Sequence, residues 1–268
     1  MLIIGERINA TRKPIGLAIG KKDAAFIQEE AKKQVAAGSS YIDLNAGLSS
    51  KTEKEGLLWL IENVQRITEV PLCLDSANPM ALEEGLKLCK KPPMINSINA
   101  EEKKIEKFLP ILENYQGEII ALTMDDKGIP KTAKERLEIA KRLVKILNDQ
   151  GIKNEQIYLD PLVQPLSINQ KFGIEFLEAV RLIKSGFPGI RTVCGLSNIS
   201  FGLPQRKTIN KAFTILAIEA GLDAAILDPL DKELQSFIYA SEALLGKDEY
   251  CLRYIKAFKN SKGSGLNI

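Results

Sequence analysis

The sequence contains no histidine. That absence excludes Ser–His and Cys–His nucleophile pairs, histidine-bound metals and an imidazole ligand to a haem or cobalt cofactor. Chemistry must run on carboxylates, amides, lysine, arginine, hydroxyls or an imported cofactor. Cysteine is scarce: Cys73, Cys89, Cys194 and Cys251 include no CxxC pair, so neither a disulfide framework nor a zinc site is expected. Cys73 and Cys194 fall in apolar stretches, where a thiol acts as a small inert hydrophobe. No apolar run reaches the roughly 18 residues of a membrane span. The N-terminus has no basic region followed by a cleavage site, so a cytoplasmic protein is expected. The formal net charge is only +3, and no basic stripe carries interleaved aromatics, which argues against nucleic acid or a membrane surface as partner. No GxGxxG follows the first apolar stretch, which argues against an open dinucleotide-binding sheet.

What is present is ordinary globular composition, 45% hydrophobic and 26% charged, with no composition shift to mark a second domain. Eight short apolar segments read as strands: Leu2–Gly5, Tyr41–Leu44, Leu72–Leu74, Met94–Ile95 with its neighbours, Ile119–Thr123, Ile157–Leu159, Thr192–Leu196 and Ala224–Leu227. Amphipathic segments alternate with them: Asp23–Ala37, Glu55–Glu69, Ala81–Lys90, Lys103–Tyr115, Ala133–Gln150, Gly173–Lys184, Ile209–Glu219 and Lys232–Leu245, then a last helix over Glu249–Lys259. Leu137, Ala140, Val144 and Leu147 read as the buried face of the fifth of these, and Pro110 predicts a kink or break in the fourth. Strict alternation implies parallel strands with right-handed crossovers, and eight units in this length predict an α/β fold, a single (β/α)₈ TIM barrel over 1–259. The Ser/Gly/Lys-rich stretch 260–268 is expected to fray.

In such a barrel the C-terminal strand ends surround one cleft. Those positions hold Glu6, Asn9, Asp43, Asn45, Asp75, Ser76, Asn96, Asn99, Thr123, Asp125, Asp160, Ser197, Asn198 and Asp228. Asp, Asn and Ser are favoured in turns and helix caps anyway. That bland reading stands level with a site role for Asn99 and Asp125, and ahead of one for Asp43 and Asp228. Asp75, Asn96 and Asp160 are harder to dismiss, because each ends a hydrophobic strand and the three converge on one side of the barrel. Two carboxylates and an amide suit a flat heterocycle with an amidine-like edge, such as the N–C(NH₂)–N of a pterin. A phosphate would want a glycine-rich nest or a helix N-terminus with Lys or Arg. A divalent metal is the lesser alternative, since the carboxylates are spread around the rim. Trp59 reads as packing or dimer surface, and Lys184 as a cation favoured at a helix end.

The motifs GERINA at 5–10, YIDLNAG at 41–47, LCLDSAN at 72–78, MINSINAE at 94–101, ALTMDDKGIPK at 121–131, IYLDPLVQP at 157–165 and GLSNISFGLPQR at 195–206 form an ordered set. Their order and spacing resemble the pterin-binding methyltransferase family. That family holds the methyltetrahydrofolate:corrinoid/iron–sulfur protein methyltransferase of acetogenic metabolism, the folate module of cobalamin-dependent methionine synthase and dihydropteroate synthase. The resemblance implies a pterin-binding barrel, usually a homodimer. It implies that Asp75, Asn96 and Asp160 hold the pterin ring, that Asn198 sits beside N5, which bears the methyl group, and that Arg206 belongs to the substrate site. The implied reaction moves the N5-methyl of 5-methyltetrahydrofolate to a Co(I) corrinoid. With no histidine and no corrinoid module here, cobalamin or a related corrinoid would arrive on a partner protein docked over the barrel mouth. Protonation of N5 makes tetrahydrofolate a neutral leaving group; solvent would supply the proton and the Asn198 side-chain oxygen would accept from N5–H. After Asn198 the chain reads SFGLPQR, closer to the methionine-synthase style, so Phe201 and Gln205 are not carried over. The rivals are the reverse transfer in a demethylation system, dihydropteroate synthase (for which Arg206 and Lys207 would be the basic pair) and a non-catalytic folate carrier.

Overall fold

The computed structural model describes residues 1–47, 50–113 and 115–259, so the fraying expected for 260–268 lies outside the described residues. Eight parallel strands close on themselves in chain order. They are β1 (Leu2–Asn9), β2 (Tyr41–Asn45), β3 (Leu72–Asp75), β4 (Met94–Ala100), β5 (Glu118–Asp125), β6 (Ile157–Asp160), β7 (Arg191–Gly195) and β8 (Ala224–Leu227). The ring closes where Leu2–Gly5 of β1 pair with Ala224–Leu227 of β8. Ten helices among the described residues lie between and after the strands: α1 (Lys13–Lys21), α2 (Ala24–Ala36), α3 (Ser50–Val64), α4 (Pro79–Leu88), α5 (Glu102–Leu112), α6 (Ala133–Asp149), α7 (Phe172–Gly186), α8 (Arg206–Ala220), α9 (Lys232–Leu244) and α10 (Leu252–Lys259). None is long and apolar enough to cross a membrane.

The start signals are local. Asp23 and Asp231 cap α2 and α9 with side-chain oxygens, Asn78 caps α4 ahead of Pro79, and Thr132 with Glu135 forms a capping box on α6. Two readings of the sequence need correction. Helix α1 was not expected, because Gly16 and Gly20 obscure its pattern. Gly16 is there because a Cβ would stand 2.8 Å from the Ala10 carbonyl oxygen. Helix α5 runs past Pro110 and ends at Leu112, so the proline falls in the last turn, where few backbone bonds remain to be lost.

Two apolar layers hold the barrel. Outside the strands, helix side chains such as Ile27, Leu57, Leu60, Leu143 and Phe176 are fully buried, each worth about 1.5–3 kcal/mol relative to exposure. Trp59 packs against this layer and lies under Lys22 Nζ, 5.3 Å from its ring centroid. Lys184 ties α7 to the barrel, donating to Asp223 Oδ2 at 2.9 Å and to the Ile190 carbonyl at 3.2 Å. Inside the barrel, Ile4, Cys73, Met94, Ile120, Tyr158, Val193 and Ala224 form one buried cluster. Below them, at the N-terminal strand ends, Glu118 accepts from Tyr41 Oη at 2.8 Å and from Arg191 Nη1 at 2.6 Å, and Arg191 also reaches Tyr158 Oη at 2.7 Å. The bottom of the barrel is thus closed by a polar plug. In barrels of this kind the C-terminal mouth is where ligands bind.

Candidate functional site

Side chains alternate along a strand, so every second residue points the same way. Two residues beyond the interior cluster, the inward positions are Glu6 after Ile4, Asp75 after Cys73, Asn96 after Met94, Leu122 after Ile120, Asp160 after Tyr158 and Gly195 after Val193. The apolar floor of the barrel therefore carries a polar upper layer set by strand period alone. Asp75 and Asn96 are direct register partners, as are Leu122 and Asp160. Asp75, Ser76, Asn96, Ser97, Leu122 and Met124 line a common cavity of about 180 Å³.

The layer is cross-linked. Asn45 Nδ2 donates to Asp75 Oδ2 at 2.9 Å, and Asn96 Nδ2 donates to Asp43 Oδ1 at 3.2 Å. Asp43 is therefore not the turn former that the sequence favoured: it is fully within β2, buried, and a side-chain acceptor. Asp160 is buried at the end of β6, where Oδ1 accepts from Leu162 N at 2.7 Å. Asp228 behaves as a turn former in part, taking Leu230 N at 3.0 Å, and also binds Arg7 Nη1 at 2.8 Å. Asp125 serves its own loop, accepting from Lys127 N and pairing with Arg142. Asn9 likewise accepts from Thr11, and the Thr123 hydroxyl donates to the Asp160 carbonyl at 3.2 Å.

Burial governs the charge of this layer, because a carboxylate leaving water favours its neutral form. Burial and then repulsion from Asp75 push the Asp43 carboxyl well above its ordinary range. Burial also raises Asp75, with the Asn45 amide opposing. Burial, followed by Asp228, raises Glu6. Burial pushes Asp160 up to about 7, against the lowering effect of the Leu162 N–H and of Arg136. Burial thus favours the neutral form at each of these acids, so the mouth is not a fixed block of negative charge. Such a set accepts from N–H donors and tolerates a neutral ring lying on apolar side chains. Among the described residues no three of His, Cys, Asp and Glu are grouped so as to hold a metal ion.

Asn198 stands apart. It lies in a 3₁₀ turn, Leu196–Ser200, that follows β7 and is anchored by the buried Leu196, Ile199 and Ser200. Its side chain is exposed and makes no hydrogen bond to a described residue. Two bonds tie this turn to the loop after β6: Leu166 N donates to the Ile199 carbonyl at 3.0 Å and Ser167 Oγ to the Phe201 carbonyl at 2.7 Å. Arg206 does not line the Asp75–Asn96 cavity. Its guanidinium donates to Ser200 Oγ at 3.0 Å and the Ser197 carbonyl at 2.8 Å, and it stacks 5.8 Å from the Phe201 ring centroid. It lines a second hollow of about 470 Å³ with Glu6, Arg7, Ser197, Lys207 and Asp228.

Sequence reasoning missed Arg136. The buried face of α6 runs through Arg136, Ile139, Ala140, Leu143 and Leu147, with Leu137 only half-buried. The signal was available: Arg136 occupies a core-facing helical position, four before Ala140. The plug residues Glu118 and Arg191 left no such trace, since a charged strand-initial residue is unremarkable in sequence.

Comparison with known proteins places the chain in a family. The family model for pterin binding enzymes matches residues 5–228. A methylcorrinoid:tetrahydrofolate methyltransferase from Eubacterium limosum is 38% identical over 264 residues, covering 98% of this chain and 97% of the relative. The methionine synthase of Mycobacterium tuberculosis is 32% identical over 240 residues, 85% of this chain but 20% of that much longer protein. Among solved structures, dihydropteroate synthase (FolP) from Clostridium difficile, crystallised with pteroic acid, superposes with a TM-score of 0.71 at 20% identity, over 91% of this chain and 96% of that one. That likeness establishes the single (β/α)₈ barrel. Matched by the family model over residues 5–228 and by a relative 38% identical over nearly its full length, the chain belongs to the pterin binding enzyme family.

Proposed function

We propose that this protein is a methyltransferase that moves the N5-methyl group between tetrahydrofolate and the corrinoid of a partner protein. The observation that carries the reading is the inward layer of Asp75, Asn96 and Asp160 on one closed barrel, with the unengaged carboxamide of Asn198 at its rim. The Eubacterium limosum relative, whose name states that chemistry, supports it over nearly the full chain.

In this reading Asp75 and Asp160 accept from the N–H groups of the pterin edge. Asn96, with its Nδ2 committed to Asp43, turns its Oδ1 toward the ligand. Apolar Leu122 gives the ring a flat contact and keeps bulk water from it. Asn198 has its oxygen free to accept from N5–H. That bond strengthens as positive charge grows on N5, and only such a gain speeds the chemical step. The proton comes from solvent. The corrinoid enters as the second substrate, carried by another protein, and supplies the cobalt centre that exchanges the methyl group. This chain has no imidazole to offer that centre, and Cys73 and Cys194 are buried. We further propose that the protein works as a homodimer in the cytoplasm.

The direction we assign is from 5-methyltetrahydrofolate to the corrinoid. The reverse, from a methylated corrinoid protein to tetrahydrofolate, is favoured by the wording of the relative's name. Mixing the protein with 5-methyltetrahydrofolate and free cob(I)alamin, and separately with methylcobalamin and tetrahydrofolate, tests both by absorbance. Conversion in either supports the reading and ranks the directions. Tight folate binding with no conversion in both would make the protein a folate carrier, and product formation from hydroxymethyldihydropterin pyrophosphate and aminobenzoate would make it a dihydropteroate synthase.

A further inference from the structure

Arg136 is the fourth residue of α6, yet it is fully buried. Its Nε donates to the Pro130 carbonyl at 3.3 Å and its Nη2 to Gln164 Oε1 at 3.0 Å. Pro130 lies in the loop entering α6, and Gln164 in the loop running from β6 to α7. The remaining nitrogen, Nη1, is buried without a hydrogen-bond partner. A buried polar group left unpaired is rare and calls for a reason. Two residues from Asp160, Leu162 holds φ at +64°, a left-handed conformation that a branched side chain rarely adopts, so this loop must be held from outside.

We propose that Arg136 is a positioning residue for the pterin site: it clamps the β6–α7 loop through Gln164 and keeps a buried positive charge behind Asp160, so that Asp160 meets the ligand as an acceptor. This rests on the reading of Asp160 as a pterin-holding group.

The groups facing the pair allow the assignment. Arg136 is faced by Asp160 from β6, Glu175 from α7 and Glu135 from its own helix. Glu175 is occupied by Ala133 N at 2.7 Å and Glu135 by Thr132 N at 3.0 Å. Asp160 is faced by Arg136, by the Leu162 N–H and by the buried thiol of Cys194. A guanidinium stays charged even when buried, so its field on Asp160 persists at all working pH values. Removing it leaves Asp160 buried with less to offset the burial, and the carboxyl ionises only at higher pH.

The test follows the Asp160 carboxyl carbon by NMR in the ligand-free protein, and 5-methyltetrahydrofolate affinity from pH 6 to 9, in wild type, R136M and R136K. D160N identifies the signal. In R136M the midpoint should rise by about one pH unit, and affinity at pH 7 should fall about fivefold and recover in alkali. R136K keeps the charge but not the fork: its midpoint should stay near that of wild type, while its affinity loss should not recover with pH. Should R136M not fold, the guanidinium nitrogen signals of wild-type Arg136 carry the charge test. They should follow the Asp160 titration and lose that step in D160N, and a flat response counts against the proposal. Folate binding by wild type with an unmoved midpoint in folded R136M overturns the inference alone. No folate binding by wild type overturns the reading beneath it, whatever the midpoint does.

Discussion

Asn96 on β4 reaches past the intervening strand to donate its amide to Asp43 on β2, 3.2 Å away. The bond fixes which end of the carboxamide faces the cavity, so Asp43 orients Asn96 from behind. Asp43→Ala should deprive the half-buried Asn96 amide of this partner, costing about 0.5–1.5 kcal/mol of stability. Denaturant unfolding reads that loss. Folate affinity should fall with it, and unchanged affinity would show that Asn96 does not need to be oriented.

Asn198 is exposed and forms no hydrogen bond within the described chain, so its removal should not disturb folding. For Asn198→Ala we expect stability within about 0.5 kcal/mol of wild type. The rate of methyl transfer should drop by about 10²–10³, as for other donors and acceptors aimed at developing charge. Single-turnover rates and equilibrium binding, measured side by side, separate the two effects. Equal losses in both would contradict a role in the chemical step.

Asp160 ties stability to pH. Its carboxyl is raised from 3.8 to about 7 in the fold, so between those values the folded state holds a proton that the unfolded chain has released. The contribution is fully present below about pH 4 and is lost as pH rises through about 7. At its limit the change is about 4 kcal/mol. Asp160→Asn keeps an oxygen for the Leu162 N–H and cannot titrate. Its unfolding free energy should therefore fall less steeply across this window than that of wild type, while pterin binding weakens.

The plug at the opposite end gives a control. Glu118→Ala removes the acceptor shared by Tyr41 and Arg191. Arg191 is 41% exposed, which weakens the ion pair, so a loss of about 1–2 kcal/mol is expected. Methyl transfer at a temperature where the variant is folded should be unchanged. A fall in rate without a fall in stability would mean that the bottom of the barrel communicates with the mouth.

The strands were legible because each is a short apolar run cut off by a turn, and the polar layer because an aspartate at the end of such a run stands out. Asp75 and Asp160 do end their strands, whereas β4 runs on past Asn96 to Ala100. Asp43 was underrated because Asp is common in turns, and only the fold shows the Asn96 amide reaching it from two strands away. Arg136 was passed over because its neighbour Leu137 made an acceptable apolar face, and only packing shows that the helix turns the arginine inward. Helix α1 was missed for the opposite reason: its Gly16 answers to the close backbone of Ala10, a contact between segments that no local pattern records. Arg206 reached the candidate set through its motif, and the fold assigns it to a different hollow from Asp75 and Asn96.

The two bonds that join Leu166 to Ile199 and Ser167 to Phe201 have a mechanical consequence. They make the segment beyond Asp160 and the turn bearing Asn198 a single panel, hinged on two neighbouring strands. A displacement of either segment alone would have to break these bonds, so the Asp160 and Asn198 segments are held in step. Hydrogen exchange at the Leu166 amide, which donates to Ile199, should speed up in Ser167→Ala, where the second bond is lost.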